Sequence, residues 1–254
     1  QQEGNRELRL STRETMRIAQ RLYESGFITY MRTDSPALSE EGVHAARQAV
    51  EASYGKKYLT DSPRTFTATA KGAQEAHEAI RPAGDVCKHP DSTGLDGKEL
   101  SLYTLIWKRT LASQMAEAEK ALTTVKVDAG KSRFTATGSR IVFPGFLRVY
   151  VEGTDDPEAA LDNKETFLPA MITGQKLNLE ALDSVKHETK PPNRFTEASL
   201  VKELENLGIG RPSTYAAIIN TLFERKYVRK QGTALNPTFI GFGVIQLLEK
   251  NFPN

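Results

Sequence analysis

The chain has 254 residues, 39% hydrophobic and 26% charged, enough to fill the core of one large domain or of two to three small ones. A net charge of +2 excludes a globally basic nucleic-acid binder, so any basic surface has to be local. The single cysteine, Cys87, excludes an internal disulfide and a cysteine-built zinc site and suits a reducing cytoplasm, and no apolar run is long enough to span a bilayer.

In chain order, Ser11 and Glu14 form a capping-box pattern, and Gly26 stands where a helix C′ glycine belongs. Met16, Ala19, Leu22 and Tyr23 give the apolar stripe between them. Phe27-Ile28-Thr29-Tyr30 then predicts a short strand. A second helix starts at Leu38-Ser39 and turns Val43, Ala46, Val50 and Tyr54 inward. Residues 55 to 73 are polar and irregular, and AQEAHEAIRP (73 to 82) predicts a helical turn stopped by Pro82. After a loop over 83 to 97, a helix from about Glu99 to Met115 carries Leu102, Ile106 and Trp107 on one face. Residues 1–116 therefore read as a mostly helical domain.

The period then changes. TTVKVDA, RFTATG, IVFPGFLRVYVEG and QKLNLEAL alternate or carry β-branched and aromatic residues, which predicts a β-rich domain over 117–192. Within it, an acidic loop at 151 to 166 holds Glu152, Asp155, Asp156, Glu158, Asp162 and Glu165 against Lys164 and is expected to stay clear of phosphates. KPPNRF (190 to 195) reads as a linker. Helical spacing returns in 193–254: Thr196 caps a helix bearing Leu200, Val201, Leu204 and Leu207, which Gly208 ends. Pro212 marks the start of a helix with Tyr215, Ile218, Ile219 and Leu222, YVRKQGTALNP predicts a hairpin with Gly232 at its tip, and a last helix covers 239–252. The fold class is α+β and multidomain.

Three clusters carry chemistry. Tyr30 alone fits a core or interface position, but Arg32 two residues on faces the same way along an extended chain. A phenol ionises near pKa ~10 and needs help. A neighbouring guanidinium favours the phenolate and holds a phosphate oxygen bidentately, so Tyr-x-Arg suits reversible phosphoryl transfer. Thr33-Asp34-Ser35 reads as the turn that follows. His77 is either a structural histidine or a cation for phosphate; it has no second histidine at zinc-site spacing, and Arg81 lies four residues on. In GIGRPSTY (208 to 215), Arg211, Ser213 and Thr214 precede a helix, which fits an anion site or an ordinary turn with a serine N-cap. Residues 211 to 230 hold Arg211, Arg225, Lys226, Arg229 and Lys230 against Glu224 alone, a phosphate-tracking surface. Helix, turn, helix and basic hairpin also match a winged helix-turn-helix, so a non-catalytic duplex-binding module over 196–238 is the competing reading.

GFITYMRTDS, AHEAIRP and RFTEASLVKELENLGIGRPSTYAAIINTLFERKYV, in this order, resemble the signature segments of bacterial type IA DNA topoisomerases. The resemblance covers essentially all 254 residues and is weakest in the β region. It implies an ATP-independent isomerase that cuts one DNA strand, keeps the 5′ phosphate on a tyrosine, and reseals after strand passage, relaxing negative supercoils. Tyr30 would be the nucleophile and Arg32 would stabilise the phosphate. His77, Arg81, Arg211, Ser213, Thr214 and Arg225 would contact single-stranded DNA. The implied architecture is part of a toroid: a helical domain with the catalytic tyrosine, a β-rich arch and a partial base domain. The family's Mg²⁺ is held by a Toprim domain. Asp155-Asp156 lacks the spacing of that acidic cluster, and Gln1-Gln2 replaces an initiator methionine. The sequence thus reads as a cytoplasmic enzyme's central fragment, without a metal site of its own and inactive by itself.

Overall fold

The structure, a computed structural model, describes residues 1–67, 77–154 and 166–252. Among these, seven α-helices and two small antiparallel sheets give an α+β chain: α1 (Gln2–Leu8), α2 (Thr12–Glu24), α3 (Glu40–Tyr54), α4 (Gly97–Ser113), β1 (Glu119–Ala129), β2 (Ser132–Phe143), α5 (Glu197–Asn206), α6 (Tyr215–Glu224), β3 (Val228–Gln231), β4 (Ala234–Pro237) and α7 (Phe239–Asn251). The chain forms two compact units. One comprises Gln1–Glu117, Gly145–Asp155 and Arg194–Asn254; the other comprises Ala118–Pro144 and Asp156–Asn193.

In the first unit, helix ends follow the local chemistry. Ser11 Oγ accepts from Glu14 N–H at 3.1 Å and starts α2, whereas the Glu14 carboxylate pairs with Lys98 Nζ. The end of α2 is a Schellman closure: Gly26 N–H donates to Tyr23 O and Phe27 N–H to Leu22 O, with Gly26 at φ 75°. Ser39 caps α3 through Gly42 N–H. Ile18, Leu22, Ile28, Ala46, Val50, Tyr103, Leu111 and Met115 are buried, so α2, α3 and α4 share one core. A smaller cluster of Val201, Tyr215 and Ile219, flanked by Leu200, Leu204 and Phe223, holds α5 to α6. Helix α1, absent from the sequence reading, packs on α5.

The second unit is built on the β1–β2 hairpin, paired from Ala129–Ser132 to Glu119–Phe143. The predicted β region is thereby corrected. QKLNLEAL forms no strand, and beyond a single bridge from Ser139 to Thr166 residues 167–193 have no regular structure. Leu177, Leu179 and Leu182 are exposed, and no described strand stands beside them to satisfy their backbone. The predicted strand Phe27–Tyr30 is likewise one bridge, between Ile28 and Pro82. Pro82 has no N–H with which to extend a ladder. In AQEAHEAIRP, residues 73–76 lie outside the described ones and 77–82 are not helical. Most of the acidic loop, 155–165, also lies outside them.

Candidate functional site

Closure of α2 delivers the chain into Ile28, which is buried, and then into Thr29. Thr29 is tied three ways to the segment after His77. Its N–H donates to Arg81 O at 2.9 Å, its hydroxyl donates to Ala79 O at 2.8 Å, and the same oxygen accepts from Arg81 N–H at 2.9 Å. With Met31 buried, Tyr30 and Arg32 on either side both face outward, the alternation that their spacing predicts. The Tyr30 ring, 38% exposed, stands edge-on to Tyr23 with centroids 5.3 Å apart and lies 5.6 Å from the His77 ring. Arg32 Nη2 donates to Gln20 Oε1 at 3.2 Å. Gln20 and Tyr23 are one turn apart on α2, so one helix face carries both the phenol and the guanidinium. His77 Nδ1 is buried and has no hydrogen-bond partner among the described residues.

Arg81, expected among the DNA contacts, is 4% exposed. Its Nε donates to Glu78 Oε1 at 2.6 Å, Nη1 donates to Pro82 O and Gly84 O, and Nη2 donates to Glu78 Oε2 and Ser39 Oγ. All five guanidinium N–H groups are thereby used. Glu78 also accepts from Ser39 N–H and Oγ–H. Burial works to raise the Glu78 pKa, but the hydrogen bonds from Arg81 and Ser39 outweigh it and hold the carboxyl below its ordinary value. The pair passes across Gly42, where a Cβ would fall 2.5 Å from Arg81 Nε.

The second cluster lies between α5 and α6. Gly208, at φ 68°, closes α5, and Ile209 N–H donates to Leu204 O. Gly210, at φ 80°, then admits Ile218 and Thr214 close to its backbone. Thr214, not Ser213, holds the N-cap position. Its hydroxyl turns back, donating to Arg211 O and accepting from Arg211 N–H. Arg211, Ser213 and Thr214 are exposed on this turn, and Arg225 is exposed at the far end of α6. Helix, turn, helix and the β3–β4 hairpin follow one another as expected, with Gly232 at φ 61° in the hairpin turn.

A cavity of ≈ 480 Å³ is lined by Thr33, Asp34 and Ser35, which follow Arg32, and by Pro212 and Tyr215 of the second segment, but not by Tyr30, Arg32, His77, Arg211, Ser213, Thr214 or Arg225. Thr33 Oγ1 accepts from Ser35 N–H and Ser35 Oγ from Ala37 N–H, the turn expected after Arg32. Burial raises the Tyr215 pKa, with Glu205 adding to the effect. No direct contact joins Tyr30 to Arg211, Ser213, Thr214 or Arg225 among the described residues. Instead, α2 spans the distance. Its first turn receives Glu197, which is 3% exposed and accepts from Thr12 N–H at 2.7 Å and Thr12 Oγ1 at 2.5 Å, with Lys230 Nζ at 2.9 Å. Sequence reading missed Thr29, Gly42 and Glu197. Of these only Glu197, an acid at the first position of a helix capped by Thr196, left a local trace.

Among the described residues, no three His, Cys, Asp or Glu side chains are grouped to hold a metal ion, and no helix is long and apolar enough to cross a membrane. A family model described as DNA topoisomerase matches residues 1–254. DNA topoisomerase 1 of Synechococcus elongatus is 58% identical over 254 residues, 100% of this chain and 29% of that protein. DNA topoisomerase 1 of Streptomyces coelicolor is 54% identical over 257 residues, 99% of this chain and 27% of that protein. The full-length structure of Thermotoga maritima topoisomerase I superposes with a TM-score of 0.76 at 37% identity, covering 100% of this chain and 41% of that one. The chain spans less than a third of the length of these curated relatives.

Proposed function

Since this chain belongs to the bacterial type IA DNA topoisomerase family, we propose that it carries the nucleophile and part of the single-strand track of a strand-passing enzyme. The observation that supports this reading is the outward Tyr30 phenol between Tyr23 and His77, with Arg32 held on the same face of α2. Tyr30 Oη attacks the phosphorus of one DNA strand. The Oη–P bond forms, the P–O3′ bond breaks, the phenol proton is lost to the medium, and the released 3′ oxygen takes up a proton. The 5′ phosphate stays on Tyr30, and attack by the 3′ hydroxyl reverses each change. No nucleotide is consumed, because the phosphotyrosine keeps the energy of the broken linkage. Arg32 neutralises the phosphate oxygens as charge develops. His77, its ring 5.6 Å from the phenol ring, contacts the bound strand beside it. Arg211, Ser213, Thr214 and Arg225 follow the strand.

We assign 1–116 to the tyrosine domain, 117–192 to the arch apart from Gly145–Asp155, which belongs to the first compact unit, and 193–254 to the strand-binding base, in a cytoplasmic enzyme that relaxes negative supercoils. Magnesium belongs to this chemistry in the family, but the described residues do not fit it. It would be held by a Toprim segment outside these 254 residues, and the chain alone is then inactive in relaxation. The duplex-binding reading of 196–238 is not favoured by family membership. Fluorescence anisotropy with labelled oligonucleotides tests the reading. Single strands bind more tightly than duplex, with affinity falling as salt rises; a duplex preference would overturn it.

A further inference from the structure

We propose that Glu78 and Arg81 form a positioning pair that fixes the spacing of Tyr30 and His77, and that neither residue contacts DNA. The proposal rests on Tyr30 being the nucleophile. It begins from the saturation of Arg81. With five N–H groups given to Glu78, Ser39, Pro82 and Gly84, the guanidinium has none left for a phosphate. Moving Arg81 outward would break these bonds and leave the half-buried Glu78 carboxylate uncompensated.

The pair reaches the reactive residues through the backbone. Arg81 N–H and C=O both bind Thr29, the residue before Tyr30, and Ile28 bridges to Pro82, the residue after Arg81. Glu78 is the residue after His77, and its carboxylate anchors on Ser39 at the start of α3. Ala79 N–H donates to Ala37 O, which ties the same segment to the chain leading out of the Tyr30 turn. The ion pair thus closes a loop of contacts that brings Tyr30 and His77 together, 5.6 Å apart at their ring centroids. Gly42 belongs to the device: a side chain there would collide with Arg81 Nε at 2.5 Å and with Glu78 Oε1 at 2.8 Å. The charge identity of Arg81 therefore matters less than its place. A variant that displaces the pair without removing any charge acts on the same step.

The test replaces the matching stretch of the Synechococcus elongatus relative with this chain and compares Arg81→Lys, Gly42→Ala and Tyr30→Phe. Covalent adduct formation on a labelled single strand, oligonucleotide affinity at several salt concentrations, and melting temperature are measured. For Arg81→Lys and Gly42→Ala, adduct formation at saturating oligonucleotide slows on the order of tenfold to a hundredfold, the expected effect of a misplaced reacting group. Affinity and salt slope stay close to those of the unsubstituted chimera, while the DNA-free melting transition falls for both variants because the buried pair is disturbed. A DNA-contacting Arg81 would instead show weakened oligonucleotide binding in the variants with adduct formation at saturation unchanged; that result overturns the proposal, as does full-rate adduct formation by both variants. Gly42→Ala keeps every charge, so it decides the matter if Arg81→Lys fails to fold. Tyr30→Phe separates the two claims: an adduct that survives it refutes the nucleophile assignment, whereas its loss leaves the positioning pair to be judged by the other variants.

Discussion

The rings of Tyr30 and His77 lie 5.6 Å apart, although one follows the end of α2 and the other belongs to the segment running toward α4. Nothing in the spacing of either residue specifies that meeting. It is produced by Thr29, whose backbone and hydroxyl together bind Ala79 and Arg81.

The joint between α2 and α5 is a carboxylate device, and it predicts a pH response. Burial works to raise the Glu197 pKa, but hydrogen bonds from Thr12 and Lys230 outweigh it and hold the value below the ordinary 4.5. A depressed carboxyl contributes stability that is present above its unfolded value and is lost as pH falls through the folded one. Melting temperature is therefore expected to drop as pH is lowered from about 4.5, with Glu78 and Glu3 acting in the same direction. Glu197→Gln is expected to cost about 1–3 kcal/mol near neutral pH. The gap to the unsubstituted chain should narrow in acid, where Glu197 is itself neutral. Thermal melts across pH check both statements.

The two glycines of the GIG turn should respond differently to alanine. At Gly208 a Cβ meets nothing within 4 Å, so only the left-handed backbone, φ 68°, is penalised, by roughly 1–2 kcal/mol. At Gly210 the backbone term is joined by a 2.9 Å approach to Ile218 Cδ1 and 3.1 Å to Thr214 Oγ1. Gly210→Ala is expected to be the more destabilising and to weaken single-strand binding by shifting Arg211 and Thr214. Denaturant melts and anisotropy on the two variants measure the difference.

Much of the fold was legible where local chemistry decides it. Ser11, Ser39 and Thr196 cap the helices that they precede, Gly26 and Gly208 end theirs, and the Val228–Pro237 hairpin turns at Gly232. The failures share a cause: each needed a partner that is distant in sequence. QKLNLEAL has strand-like alternation, but a strand needs a neighbour. The burial of Arg81 was not legible either, because Ser39 and the bare backbone of Gly42, distant in sequence, complete the surroundings that Glu78 begins. Tyr30 and Arg32 were legible because two residues on an extended segment share a side whatever surrounds them.

Cys87 offers a probe of this packing. It is 5% exposed, and burial pushes its thiol up to about 11. The thiolate is the reactive form, so an aromatic disulfide reagent at pH 8 should leave Cys87 unmodified in the folded chain and titrate one thiol in guanidinium chloride. Rapid reaction without denaturant would mean that the contacts around Trp107 and Cys87 open readily.

The most direct test of the central claim is a trap of the covalent intermediate. The chimera with the Synechococcus elongatus relative is mixed with a labelled single strand, denatured and digested, and the peptide carrying the nucleotide is sequenced by mass spectrometry. The account predicts one modified residue, Tyr30, with the 5′ phosphate attached, and no adduct in Tyr30→Phe. An adduct on Tyr23 or any other side chain, or one that persists in Tyr30→Phe, would contradict it.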